Sequence, residues 1–213
     1  MTDLPYVLHH ELPHTDGGVL VVMLSGWIDA SGAAAAAMMS VDDGCNTTPL
    51  LTFDSDTFID YRARRPVMEL REGLNTRLVW DEIVIRHGHD VTGQQVITLR
   101  GPEPDSRWQH FCREVTDLAT AMGIRLMVGL GAYPFGSPHT RPARLSVSTP
   151  HAGLLADLPY LKNSVDVPAG MGAALEHALH DAGIPSIGLW VQVPHYVSAL
   201  GYPAATLSLL RGL

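Results

Sequence analysis

Gly17 to Ser40 reads GGVLVVMLSGWIDASGAAAAAMMS. Val19 to Leu24 is an unbroken apolar run entered from two glycines and left at Ser25-Gly26, the pattern of a strand covered on both faces in a parallel sheet. The residues that follow favour helix. Ala30 to Ser40 is rich in alanine and methionine, and Asp29 stands where an N-cap carboxylate accepts backbone N–H bonds, so the reading is strand, turn, helix. Leu50 to Phe53 is a second short buried strand, and its exit carries the densest charge in the chain.

Working outward, Arg77 to Trp80, Glu82 to His87 and Gln95 to Leu99 are short β-rich runs parted by Gly88 and Gly93, an antiparallel or edge portion of the sheet. From Trp108, the residues Phe111, Cys112, Val115, Leu118, Ala119 and Met122 recur at three- and four-residue steps, one helical face. Asp105 and Ser106 supply its start signal and Gly123 its stop. Arg125 to Leu130 is another buried strand. Gly131 to Pro142 then reads as a Gly/Pro-rich loop, and Leu145 to Ser148 as a short strand. Val165 to Val167 is a weaker strand candidate. A helix from Gly170 to Ala182 ends on Gly183-Ile184-Pro185, Ile187 to Val193 is the last buried strand, and Ala204 to Leu210 a closing helix. The alternation predicts an α/β protein of three layers, α/β/α, with a mostly parallel or mixed sheet, and residues 1–213 as a single domain.

Composition narrows the function. With 213 residues, 46% of them hydrophobic, the chain is long enough for one sizeable core. A net charge of −8 and a single lysine, Lys162, argue against a nucleic-acid partner and against a membrane surface. Cys45 and Cys112 stand far apart in no metal or redox spacing, and no secretory signal or spanning stretch is visible, so a cytoplasmic location is expected. His87 and His89 lack a third ligand at suitable spacing, and Gly170-x-Gly172 lacks the third glycine of a dinucleotide fingerprint. No metal and no cofactor is expected.

Charge reversal marks the main candidate site. Asp54, Asp56 and Asp60 run through Tyr61 into Arg62, Arg64 and Arg65, and guanidiniums recognise carboxylates or phosphates in bidentate fashion. This block is either an ion network closing a loop or the lining of an anion site. Pro138-His139-Thr140-Arg141-Pro142 is a second candidate, a loop stiffened by two prolines. Arg141 is expected to pair with Asp54, Asp56 or Asp60, and His139 to cap a backbone group, which would bring the two blocks together. His195 and Tyr196 follow the last strand and should emerge on the same rim, either as a base or clamp, or with the tyrosine buried and its hydroxyl satisfied beside a satisfied histidine. Trp27 and Asp29, after the first strand, complete the candidate set.

Taken together, Gly26-Trp27-Ile28-Asp29-Ala30, the Phe53 to Pro66 stretch, Pro138-His139-Thr140-Arg141-Pro142 and Val193-Pro194-His195-Tyr196 resemble the actinobacterial branch of the proteasome assembly chaperone 2 family. The resemblance covers nearly the whole chain. It implies a phosphorylase/hydrolase-like α/β/α fold, a cytoplasmic homo-oligomer, a trimer by preference, and a role in handling proteasome subunits. Archaeal relatives end in a hydrophobic residue, a tyrosine and one more residue that docks between ring subunits, whereas this sequence ends Leu210-Arg211-Gly212-Leu213. Actinobacterial members usually continue with a charged helical segment, so the resemblance also implies a C-terminal extension missing from these residues. The function expected is that of a non-enzymatic oligomeric interaction protein and proteasome-related chaperone. The alternative is a small-molecule enzyme or ligand-binding protein with an anion site, by analogy of fold with nucleoside phosphorylases and hydrolases.

Overall fold

The computed structural model describes residues 4–213. In chain order the elements are β1 (Tyr6–Leu8), β2 (Val19–Ser25), a 3-10 turn (Ala30–Gly32), α1 (Ala33–Gly44), β3 (Thr48–Phe53), α2 (Ser55–Phe58), β4 (Val67–Arg71), β5 (Leu74–Val79), β6 (Val84–His89) and β7 (Gln95–Pro102). They continue with α3 (Trp108–Ala121), β8 (Leu126–Phe135), β9 (Leu145–Ser148), α4 (Ala152–Asp157), α5 (Met171–Asp181), β10 (Ser186–Pro194), a 3-10 turn (His195–Val197) and α6 (Pro203–Gly212).

Eight strands form one mixed sheet in the order β1-β3-β6-β7-β2-β8-β10-β9. Its centre, β7-β2-β8-β10, is parallel, with Val19 beside Val96 and Leu126. The expected antiparallel portion lies on the β3 side, where β6 runs against both β3 and β7. Alternate residues of β2 serve opposite layers, as its unbroken apolar run requires. Leu20 and Val22 pack with Phe111, Val115, Leu175 and Leu179 beneath α3 and α5, while Val21 and Met23 pack with Ala33, Ala37 and Leu209 beneath α1 and α6. Helices cover both faces.

Two buried acids tie helices to the sheet. Asp42, in the last turn of α1, accepts hydrogen bonds at Oδ1 from the hydroxyls of Thr47 and Thr98, each at 2.7 Å. Its Oδ2 faces the Arg100 guanidinium at 3.1 Å and that of Arg86 at 3.5 Å, as a charge contact rather than an aligned hydrogen bond. Glu176, buried on α5, accepts from the Ser148 hydroxyl on β9 at 3.2 Å, and Trp190 Nε1 donates to that same hydroxyl oxygen. Burial pushes the Glu176 carboxyl up to about 7, against the smaller opposing pull of Ser148. Room for this group comes from Gly188, where a Cβ would lie 2.5 Å from Glu176 Oε1.

Several sequence expectations are corrected. Helix α1 starts at Ala33 rather than Ala30, because Ser31 and Gly32 take left-handed backbone angles. Asp29 still caps it, from one turn further back, through bonds from the Ala34 and Ala35 amides at 2.8 and 3.0 Å. Asp105 and Ser106 do not cap α3, since Arg107, with φ of 57°, stands at its N-cap. Strand β8 does not stop at Leu130 but runs to Phe135 in register with β10, and the Trp190 ring fills the space left by Gly131. Val165 to Val167 is exposed and irregular. The run at Arg77 to Trp80 belongs not to the main sheet but to a separate two-stranded hairpin, β4–β5.

Candidate functional site

Because β6 opposes both β3 and β7, the strands β3, β7, β2, β8 and β10 all point the same way. Every block singled out in the sequence leaves one of their carboxyl ends, and these ends form one rim, where such folds place sites. The rim is divided. At a strand spacing of about 4.8 Å, β3 and β8 stand roughly 19 Å apart with β6, β7 and β2 between them.

The β3 side is a braced root for the hairpin. Asp54 begins α2 and accepts a short hydrogen bond from the Thr57 hydroxyl, while its amide donates to Pro5 O at 2.8 Å. Asp56 accepts from the Tyr61 hydroxyl at 2.8 Å, and the Tyr61 ring meets Trp80 edge to face at 4.7 Å. Burial, with Asp56 acting in the same direction, raises the Tyr61 phenol above its ordinary range. Asp60 closes the turn through the Arg62 amide at 2.8 Å, and its own amide donates to Asp105 Oδ2 at 2.9 Å. Arg64 Nε reaches both oxygens of Asp105, at 3.1 and 3.2 Å. On the far side of the hairpin, Ser55 Oγ donates to Asp81 O at 3.2 Å. Both ends of the hairpin are thus fastened to the same block.

Gly26 makes this packing possible. Its φ is +125°, and a Cβ there would stand 2.6 Å from an Arg64 guanidinium nitrogen and 3.1 Å from Glu103 Cγ. Gly26→Ala is expected to destabilise the fold by about 1–3 kcal/mol through backbone strain, and to move Arg64 off Asp105. Urea unfolding measures the first effect; a change below the error of that measurement would refute it.

On the β8 and β10 side, the Tyr196 hydroxyl accepts from the His139 amide at 2.7 Å and faces His139 Nδ1 at 2.8 Å, and Tyr202 donates to His139 O at 3.4 Å. His195 stacks edge-on to Tyr196, its carbonyl taken by the Ser198 hydroxyl. Thr140 is exposed. Tyr196 is half exposed rather than buried, though its hydroxyl is satisfied as one reading expected. Arg141 makes no ion pair among the described residues, so the expected bridge to Asp54, Asp56 or Asp60 does not form; the strand spacing above separates them. Likewise His139 bonds a tyrosine rather than capping a backbone group. Between the two halves, Trp27 packs on Gly170 at the start of α5, whose Met171 amide donates to Glu103 Oε2 at 3.0 Å.

Asp105 is the partner the sequence reading missed, having been assigned to helix capping. Glu103 and Asp105, each next to a proline and directly after a parallel strand, were the available signal. Arg62 and Arg65 are exposed and make no ion pair among the described residues. A hollow of about 300 Å³ opens at the ends of β2 and β7, lined in part by Met38, Met39, Arg64 and Arg100, but each of these arginines already faces a carboxylate. Among the described residues no group of three or more His, Cys, Asp or Glu stands together to hold a metal ion, and no helix is long and apolar enough to cross a membrane.

Comparison with known proteins gives a consistent picture. A family model described as the PAC2 family matches residues 23–213. A Corynebacterium glutamicum protein of unknown function is 34% identical, with 97% of this chain and 79% of that chain covered and a TM-score of 0.88. A proteasome-assembly chaperone homologue from Mycobacterium tuberculosis is 31% identical, with 91% and 82% covered and a TM-score of 0.84. An archaeal proteasome activator from Pyrococcus furiosus shares the fold at 12% identity, with 97% and 86% covered and a TM-score of 0.74. No curated protein matches.

Proposed function

Because the chain belongs to the PAC2 family, we propose that it works by contact rather than by catalysis, as a cytoplasmic homo-oligomer that engages proteasome subunits during assembly or activation. The observation that carries this reading is the use of the charged block. Asp56, Asp60, Arg64 and Asp105 brace an exposed hairpin instead of facing a closed polar cavity. An anion site would instead present unpartnered guanidiniums converging in a pocket. Arg62, Arg65 and Arg141, exposed on the rim, are then available as contacts for an acidic partner surface. We take the phosphorylase-like layering implied by the resemblance as an inherited framework, since a fold carries many unrelated functions.

The test is capture on immobilised protein of purified proteasome α and β subunits, offered separately. Retention of α subunits is expected, and Arg62→Glu with Arg65→Glu should reduce it at least several-fold without changing thermal stability. Retention of neither subunit would overturn the proposal. So would turnover of nucleosides, with or without phosphate, well above the uncatalysed rate.

A further inference from the structure

The hollow at the ends of β2 and β7 lies where the chain reverses its winding. These two strands are neighbours in the sheet, yet β2 leads into α1 on one face and β7 into α3 on the other. Open α/β sheets bind ligands in the crevice at such a switch point. The lining is of two kinds. Met23 and Met38 are buried and Met39 is 59% exposed, so β2 and α1 supply flexible thioethers that adapt to an apolar group. Arg64, Arg100, Asp81 and Glu82 supply charge of both signs. Gly101 keeps the acids close: its φ is +138°, and a Cβ there would lie 2.3 Å from Glu82 O.

We propose that this hollow binds a free amino acid with an apolar side chain, its carboxylate on the arginines, its ammonium on Asp81 and Glu82, and its side chain against the methionines. Charge decides the class. Arg64 spends Nε on Asp105, and Arg100 meets Asp42 through Nη1 at 3.1 Å, so much of their charge is already offset. Among the described residues no hydrogen bond engages the Nη groups of Arg64 or the other nitrogens of Arg100, which leaves donors free for a carboxylate. A bare anion gains little from such half-neutralised groups. Asp81 and Glu82 are exposed and make no ion pair among the described residues, so a bare amine would satisfy them alone. A zwitterion engages both signs, and adds no net charge to a lining of two arginines and two acids. Size points the same way. About 300 Å³ is the lower end for a small-molecule site, which suits one amino acid better than a nucleotide or a peptide. Binding alone is required here, with no chemical step, so a ligand is added to the contact role above without displacing it.

The experiment is isothermal titration calorimetry on the full chain, with L-leucine and L-methionine as probes. At least one is expected to bind with a Kd of about 1 mM or tighter, and to raise the melting temperature as its concentration rises. Leucinamide, which lacks the carboxylate, and N-acetyl-leucine, which lacks the ammonium, should each bind at least about tenfold more weakly. L-glutamate, which sets a further charge against the methionines, should not bind measurably. Glu82→Gln, at an exposed position, should weaken leucine binding about threefold while leaving the ligand-free melting curve unchanged. Absence of binding by both probes up to about 10 mM would overturn the proposal. So would blocked derivatives that bind as tightly as leucine, or a Glu82→Gln variant of undiminished affinity. Displacement of leucine by equimolar phosphate would overturn it in favour of a plain anion site. The purified chain alone suffices, so the outcome is independent of whether proteasome subunits are captured.

Discussion

Asp42→Ala is expected to lower the unfolding free energy by about 3–5 kcal/mol, the usual result of removing one partner from a buried ion pair. Asp42 is 5% exposed, and among the described residues it is the one acid paired with Arg86 and Arg100, while it also satisfies the hydroxyls of Thr47 and Thr98. Alanine leaves two guanidiniums facing each other across a void, with two hydroxyls seeking new acceptors. Arg86 retains bonds to Thr47 Oγ1 and Thr47 O, which holds the loss within that range. Urea titration should show a lower midpoint at unchanged slope. A loss under about 1 kcal/mol would mean that these charges are solvated.

Glu176→Gln should act in the opposite direction. The carboxyl is raised from an ordinary 4.5 to about 7, so between those values the folded chain binds more protons than the unfolded one. Stability therefore falls as pH rises through that window, and the loss is complete above it. Glutamine keeps the shape and the acceptor for Ser148 but does not titrate. The variant should match wild type near pH 4 and exceed it by about 3 kcal/mol at pH 8, a rise in melting temperature of roughly 6–12 °C for a chain of this size. Parallel stability curves for the two proteins from pH 4 to 8 would refute the assignment.

The parts of the fold legible in the sequence are those whose residues are buried on a fixed period. Val19 to Leu24, the Phe111 to Met122 stripe and Ile187 to Val193 each announce their element, because an apolar core imposes its spacing on the chain. Val67 to Arg71 has no such signal, since a ribbon exposed on both faces has no inner side to keep apolar. Gly131 and Pro134 read as loop residues, yet they continue β8: the glycine is required by the Trp190 ring on the next strand, and the proline lies at the strand's far end beside Val193. Arg141 was assigned to the wrong acids for a related reason. Charge matching is visible in a sequence, but the number of strands between two loops is not: four strand spacings part Arg141 from those acids, and it is Arg64 that pairs with an acid, Asp105, on the loop after β7.

The strand order also governs how the chain leaves the ribosome. The centre of the sheet, β2, is among the first strands made, but Val19 must wait for Val96 before it has a neighbour on one side and for Leu126 on the other. At translation rates of about 5–20 residues per second, the first wait lasts roughly 4–15 s, during which an apolar strand meant to be covered on both faces has nothing to pair with. Nascent chains stalled before Gln95 should therefore be held by ribosome-associated holdases or aggregate, and only those extended past β8 should resist protease.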